Sequence, residues 1–458
     1  MKIGISVIGL GKLGAPMAVC FAAKGFRVVG VDRDMRKAEA MNQGRAPVFE
    51  PGLEELLQAN KDRLTATQDI EAAVSRTDVT FIVVATPSEA GGGFSLRNVL
   101  PGCEQIGQAL RRKDGFHLVC LTSTVMPGST GGVVRSTLEN TSGKRAGIDF
   151  GLCYNPEFIA LGSVIRDFLN PDLLLIGESD RRSGDILESI YKEVCENAPK
   201  VARMDFANAE IAKLSVNAYV TTRISFANML ARICERLPEA NVDVVTAALG
   251  MDSRIGTKYL KGAISYGGPC FPRDNAALVN LARQLGAPAD IAEATDHFNR
   301  GQIKWLAKLV ESHLQKGGTA GVLGLTYKPN TDVVEESAGL LLARELVGHG
   351  IPVVAYDPAG NDNSAAALDH QVRFAATARE CVEAADVVIL TTPWQEFCSI
   401  PPDRWARHSP PRTIIDCWRA IQHLEGCPGV QYLCLGTGSL LRPLARANMV
   451  GSSTAVGA

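Results

Sequence analysis

Three short stretches of this chain hold residue types that could do chemistry. The first is Gly9-Leu10-Gly11-x-x-Gly14, placed behind an apolar run and followed by Asp32. Glycines let a backbone approach a pyrophosphate at the N-terminus of a helix, and an acid about 20 residues on accepts from ribose hydroxyls. That is the pattern of a dinucleotide site. Asp32 favours NAD, because a carboxylate repels a 2′-phosphate, while the neighbouring Arg33 leaves NADP open. The second is Lys213 and Asn217, four apart in a run without Gly or Pro, and so on one face of a helix. An ammonium and an amide so placed can stabilise charge developing on one oxygen. Taken alone, such a pair is an ordinary solvated helix face. The third is ISYGGPCFPRD, residues 264–274, which sets Cys270 behind two glycines. It is one of twelve cysteines, so its residue type does not single it out.

The elements that must position these residues follow from the apolar pattern. ISVIG, RVVGVD, VTFIVVATP, HLVCLTST and LLLIG read as buried strands, and APMAVCFAAKG and NVLPGCEQIGQALRR between them carry helical periodicity. The alternation predicts a parallel sheet covered on both faces. From Asn208 to Leu237 one long helix is expected, followed by helices over VDVVTAALG, NAALVNLARQLG and IAEATDHFNRGQIKWLAKLVESHL. Alternation returns at TAGVLGLTYK and continues through SAGLLLARELVGHG, IPVVAYDP, ADVVILTTPW and RTIIDCW. The predicted fold class is α/β, with two Rossmann-like doubly wound domains joined by a long central helix and a helical middle. The two halves are expected to be structural echoes of each other. The expected divisions are 1–200, 201–300 and 301–446, with a disordered tail over 447–458.

Composition narrows the partners. A chain of 458 residues is long for one core, and 46% hydrophobic with 21% charged residues is the balance of a soluble globular protein. The formal charge of −2 offers no general pull toward nucleic acid or an anionic membrane. No apolar run approaches the roughly 18 residues of a membrane span. In MKIGISVIGLGKLG, glycines and Lys12 interrupt the apolar start, which suits a first buried strand rather than a secretory signal. The cysteines form no CxxC pair and sit mostly in apolar runs, so buried thiols in a reducing cytoplasm are expected rather than disulfides or zinc. The seven histidines are dispersed, and no metal is inferred.

Several motifs in order carry a family resemblance: STVMPGST (123–130), YNPEF (154–158), AEIAKLSVNAY (209–219), GMDSRIGTKYLKGAISYGGPCFPRD (250–274) and LGLTYKPNTD (323–332). Together they resemble the nucleotide-sugar dehydrogenases, the UDP-glucose/GDP-mannose dehydrogenase family, and within it the UDP-glucose 6-dehydrogenases. The resemblance runs from Met1 to about Asp416. It implies oxidation of the primary alcohol of a nucleotide-linked hexose to a carboxylate with two NAD in succession. Cys270 would be the nucleophile that traps the aldehyde, and a thiol suits this because its thioester can still be hydrolysed. Lys213 and Asn217 would hold the oxyanion. Glu157 and Asp274, aided by the Thr124 hydroxyl, would manage protons, in a division the sequence leaves open.

The same resemblance implies binding roles. Gly9, Leu10, Gly11, Gly14, Asp32, Thr86, Thr124 and Arg273 would face NAD, with Thr86 beside the nicotinamide and Arg273 near the phosphates. Glu157, Lys213, Asn217, Tyr259, Leu260, Lys261, Gly262, Gly267 and Lys328 would line the sugar nucleotide. Arg254 would reach the substrate of a neighbouring subunit, since the long helix is the family's homodimer core. The first division would then bind NAD, the second dimerise and the third bind the nucleotide sugar.

The chain also departs from the family pattern. Leu161 stands where Glu is expected after NPEF, and the following PDR reads Pro171-Asp172-Leu173. Glu335 replaces an arginine that supports the cofactor, a charge reversal unfavourable beside a pyrophosphate. Asp416-Cys417-Trp418-Arg419 displaces the arginine of Asp-Gly-Arg by one, and Cys398 replaces a common basic residue. Before Cys270, a GPGFGG-like run has become AISYGG, and Pro269 precedes the thiol. The expectation is retained four-electron chemistry on UDP-glucose or a related nucleotide sugar. Two alternatives stand beside it: a two-electron β-hydroxyacid-type dehydrogenase, and a non-catalytic nucleotide-sugar-binding homologue.

Overall fold

The computed structural model describes residues 3–369 and 371–438; the tail expected at 447–458 lies outside the described residues. The described residues form two compact units, residues 3–216 with 276–289, and residues 217–275 with 290–369 and 371–438. The chain passes between the units three times: twice inside helices, Phe206–Cys234 and Phe271–Gln284, and once just before the Asp290–Glu311 helix.

The first unit is built on an eight-stranded sheet of β1 (Gly4–Ile8), β2 (Arg27–Val31), β3 (Leu64–Thr67), β4 (Val79–Ile82), β5 (Leu118–Leu121), β6 (Gly151–Tyr154), β7 (Leu173–Glu178) and β8 (Lys200–Met204). Their order is β3-β2-β1-β4-β5-β6-β7-β8. The inner strands are buried throughout because helices cover both faces, which is why they read as continuous apolar runs. One face packs Ile5, Val7 and Phe81 against Met17 and Phe21 of the Gly14–Ala23 helix. The other packs Ile8, Val119 and Leu121 against Cys103 and Ile106 of the Leu100–Arg112 helix. The sheet is not purely parallel as expected: β6 and β7 run antiparallel, pairing Cys153 with Glu178 and Tyr154 with Gly177. Strands β3, β6 and β8 were not expected. LTAT and KVARM lie at the two sheet edges, where one side faces water and the apolar signal is weak.

The second unit contains a six-stranded, wholly parallel sheet of β9 (Ala320–Leu323), β10 (Val353–Tyr356), β11 (Arg373–Phe374), β12 (Val387–Leu390), β13 (Arg412–Asp416) and β14 (Val430–Cys434). Its order is β11-β10-β9-β12-β13-β14, and again the two unexpected strands, β11 and β14, are edges. The Asp290–Glu311 and Ala338–Gly348 helices cover one face through Leu306, Val310, Leu342 and Leu346.

The two sheets repeat one local device. After β1, Gly9 has φ +101° and the Leu10 N–H donates to Asp32 at 2.8 Å. After β9, Gly324 has φ +99° and the Leu325 N–H donates to Asp357 at 2.7 Å. A Cβ on Gly14 would lie 1.9 Å from the carbonyl oxygen of Gly9, and one on Gly339 1.9 Å from that of Gly324. In each case a helix begins so close to the first strand that no side chain fits between them.

Candidate functional site

The nucleotide end is assembled within the first unit. Gly9 turns the chain out of β1, and Gly14 starts the helix against it. Asp32 is buried at the end of β2 and ties the loop down with both oxygens, accepting from Leu10 N–H and, at 2.9 Å, from Asp34 N–H. A carboxylate has about four acceptor sites, so capacity for a ribose hydroxyl remains. Lys37 stands 3.6 Å from the same carboxylate. Beyond its own chain neighbours, no described residue comes within 4 Å of where a Cβ on Gly11 would stand. A glycine-lined opening at a helix start with an acid behind it fits a dinucleotide. Thr86 and Thr124, far apart in sequence, meet here: the Thr86 hydroxyl donates to the Thr124 carbonyl at 2.7 Å.

A second group of expected residues gathers after β6. Lys213 is buried rather than solvated, and its ammonium donates to the main-chain oxygen of Glu157 at 2.8 Å while lying 4.5 Å from the centre of the Phe158 ring. Burial pushes the Glu157 carboxyl up to about 7, against the opposing pull of the Lys213 charge. Tyr191 Oη is 2.7 Å from Glu157 Oε1 and 2.6 Å from Asn155 Oδ1. Sequence reasoning missed Tyr191. It sits in the core on the Arg181–Val194 helix, where an aromatic residue carries no functional signal. Glu210, also missed, is buried on the long helix and accepts from the N–H groups of Gly128 and Thr130 at 2.6 and 2.8 Å, holding the segment that follows Thr124.

The thiol loop belongs to the second unit. Cys270 immediately precedes the Phe271–Gln284 helix and is exposed; eight of the other cysteines are buried and three half-buried. Its carbonyl accepts from Asp274 N–H at 2.8 Å. Asp274 is buried and accepts from the Asn217 amide at 2.6 Å, with Arg273 Nε 3.5 Å from its other oxygen. Asn217, like Lys213, is therefore not a solvated helix residue. A thiolate at this position would face the positive end of a helix.

The altered run before the thiol is held by two asparagines. Asn228 accepts from Ala263 N–H and donates to Ile264 O, both at 2.7 Å. Asn299 does the same for Tyr266, at 2.9 and 3.0 Å. Ala263, Ile264 and Ser265 are buried, and Ile264 belongs to the core that covers the second sheet. A Cβ on Gly267 would lie 2.1 Å from the Glu336 carbonyl oxygen, and one on Gly268 2.7 Å from the Tyr327 ring. The chain itself thus demands both glycines, whatever ligand is present.

Other expected binding positions are spread over the second unit. Tyr259 is half exposed, has φ +62°, and meets Phe271 edge-on at 6.3 Å. Leu260 is buried and Lys261 exposed. A Cβ on Gly262 would stand 2.5 Å from the Ala227 carbonyl, so that glycine packs on the long helix. Arg254 is exposed and folds back onto Asp252 at 2.6 Å. Lys328 lies 5.9 Å from the centre of the Tyr327 ring. Among the departures, Glu335 is exposed and offers its main-chain oxygen to Gly268 N–H at 3.0 Å. Arg419 is buried with φ +58°, bonding Asp243 at 2.6 and 2.8 Å, Leu435 O at 3.0 Å and Gly262 O at 2.6 Å. That guanidinium ties parts of the chain together. Leu161 and Cys398 are half-buried.

Two Rossmann-like sheets, each with the glycine and acid device and the first with the full Gly9-x-Gly11-x-x-Gly14 run of a dinucleotide site, define an NAD-type dehydrogenase architecture. The chain belongs to the UDP-glucose/GDP-mannose dehydrogenase family: its NAD binding domain matches residues 2–195, its central domain 207–301 and its UDP binding domain 321–423. Among similar proteins, the UDP-glucose 6-dehydrogenase of Haloferax volcanii is 35% identical, over 92% of this chain and 98% of its own length. The GDP-mannose 6-dehydrogenase of Pseudomonas aeruginosa is 36% identical, over 77% of this chain and 80% of its own. The solved structure of a UDP-glucose dehydrogenase from Pyrobaculum islandicum aligns with a TM-score of 0.86 at 33% identity, covering 96% of this chain and 98% of that one. NAD is accordingly the cofactor and a nucleotide sugar the substrate class. Among the described residues no helix is long and apolar enough to cross a membrane.

Proposed function

We propose that this protein is an NAD-dependent 6-dehydrogenase that oxidises the C6 primary alcohol of UDP-glucose, or a closely related nucleotide hexose, to the uronic acid through a thioester on Cys270. The observation that carries the reading is the exposed thiol at a helix start whose first turn holds Asp274 hydrogen-bonded to Asn217. NAD, when bound, accepts the two hydrides that leave the substrate carbon. Gly9, Leu10, Gly11, Gly14, Asp32, Thr86, Thr124 and Arg273 would hold it.

Lys213 and Asn217, one turn apart on the long helix, present N–H donors to the oxygen that takes on negative charge. The first oxidation leaves an aldehyde, and Cys270 Sγ bonds to its carbon to form a thiohemiacetal. Loss of a second hydride leaves the thioester. Water then breaks the carbon–sulfur bond, releasing the carboxylate and restoring the thiol. Per alcohol, two NAD⁺ and one water are consumed and two NADH, the carboxylate and three protons are formed. Glu157 and Asp274, with the Thr124 hydroxyl, carry those protons between substrate and solvent. Tyr259, Leu260, Lys261, Gly262, Gly267 and Lys328 would seat the nucleotide sugar.

The Haloferax volcanii relative supports UDP-glucose as the first candidate, and the Pseudomonas aeruginosa relative makes GDP-mannose the first competitor. We further propose the functional division 1–200, 201–300 and 301–446 and a homodimer through the central helix, which would carry Arg254 to the neighbouring subunit. On the exposed side of that helix, Tyr219, Phe226, Met229 and Ile233 are 39–66% exposed and share one face. The cytoplasm is proposed as the compartment, since Cys270 must remain a reduced thiol to turn over.

A panel of UDP- and GDP-hexoses supplied with NAD tests the reading, counting NADH per product. Two NADH per acid are expected, with Cys270→Ser forming no acid. One NADH per substrate would favour the two-electron alternative, and acid formation by Cys270→Ser at the parent rate would sink the thioester. No NADH from any UDP- or GDP-hexose would overturn the function itself.

A further inference from the structure

The contacts of Tyr191 say which way the proton of Glu157 faces. Asn155 is buried, and its Nδ2 donates to the Leu175 carbonyl at 3.1 Å. A carbonyl can only accept, so the amide orientation is settled and Oδ1 is the atom turned toward Tyr191. Tyr191 Oη lies 2.6 Å from that oxygen and 2.7 Å from Glu157 Oε1. A phenol has one proton and cannot donate to both. If Glu157 were a carboxylate, one of the two acceptors would be stranded, and a stranded buried acceptor is costly. Every contact is satisfied in one arrangement only: Glu157 donates to Tyr191 Oη, Tyr191 donates to Asn155 Oδ1, and Asn155 donates to Leu175 O.

We propose that Tyr191 and Asn155 are positioning residues that keep Glu157 in its acid form, so that it enters the catalytic cycle as a proton donor. The inference rests on the role for Glu157 given above and deepens it. The titratable and charged groups that face the carboxyl are Tyr191 itself, Lys213 from the long helix, and the Cys195 thiol just after the Tyr191 helix. Lys213 favours the carboxylate and so opposes the relay. Burial and Glu157 itself push the Cys195 thiol up to about 11, so it stays neutral at working pH. Tyr191 rises far above its ordinary range and also stays protonated.

The relay makes a signed prediction. If Tyr191 simply donated to a carboxylate, Tyr191→Phe would remove support from the anion and raise the Glu157 midpoint. In the relay, Tyr191→Phe removes the acceptor of the acid's proton and lowers it, by about one pH unit, a tenfold change in proton affinity. The experiment follows the carboxyl by infrared difference spectroscopy, identifying its band as the one lost in Glu157→Gln. The pH profile of acid formation provides a second readout. Asn155→Ala should also lower the midpoint in the parent, because it releases the Tyr191 proton for the carboxylate, and should do nothing when added to Tyr191→Phe. A midpoint that rises in Tyr191→Phe overturns the relay, as does an equal response to Asn155→Ala in both backgrounds. If Asn155→Ala does not fold, the near-isosteric Tyr191→Phe still decides the sign. Should the spectroscopic shift appear while Glu157→Gln turns over at the parent rate, the relay stands and the catalytic role of Glu157 fails.

Discussion

Lys213 spends one N–H on the main-chain oxygen of Glu157 and places its charge near that residue's carboxyl. Its removal should therefore act twice. Lys213→Met should lower kcat by about 10²–10³, the usual cost of one donor to a developing oxyanion. It should also raise the Glu157 midpoint above about 7, because the cation that favoured the carboxylate is gone. The limb of the pH profile on which activity falls as Glu157 ionises then moves to higher pH. Steady-state rates across pH 5–9 check both effects together. A normal kcat, or a midpoint that falls, would contradict the arrangement. Sequence could pair Lys213 with Asn217 by helical spacing, but not with Glu157, because their approach depends on how the long helix packs beside β6.

At the scale of elements, the thiol loop is stiffened from both sides. Asn228 and Asn299 each offer an amide that mimics a neighbouring strand, and Gly267 and Gly268 let the loop close on Glu336 and Tyr327. Asn228→Leu would leave the buried Ala263 N–H and Ile264 carbonyl without these partners. The expected cost is about 2–4 kcal/mol of stability. Thermal denaturation should register it, and acid formation should fall in the folded fraction because Cys270 loses its fixed approach. Unchanged stability together with unchanged acid formation would show that the clamps do not position the loop. The replacement of a glycine-rich GPG by AIS, a departure in sequence, is here a matter of packing: Ile264 fills the core of the second sheet. Neither asparagine stood out in sequence, since an Asn within a helical run is usually an exposed polar residue.

For the whole molecule, the repeated glycine and acid device shows two units built on the same rule, with Asp32 in one and Asp357 in the other. The apolar stripe of Tyr219, Phe226, Met229 and Ile233 gives the dimer proposal a direct test. Phe226→Asp combined with Ile233→Asp should convert a dimer to a monomer in sedimentation velocity, with the far-ultraviolet circular dichroism retained. A parent protein that sediments as a monomer would refute the proposal. Much of this architecture was legible: the inner strands other than β6 are β-rich apolar runs, the helices follow their periodicity, and the long helix lacks Gly and Pro. Edge strands escaped because a strand wet on one side carries little apolar signal, and the antiparallel β6–β7 pair escaped because direction is set by the crossover, not by residue type.

The sequence by itself determined the candidate chemistry-bearing set and its order, because glycine spacing, helical spacing and family motifs are local properties. Tertiary structure decided what surrounds each member. It buried Lys213, Asn217 and Asp274, left Cys270 exposed, and turned Gly267 and Arg419 toward the chain's own backbone. It also set Tyr191 between Asn155 and Glu157. The physical reason is the same throughout. Burial and hydrogen-bond partnership come from segments distant in the chain, and those two quantities decide whether a carboxyl holds its proton.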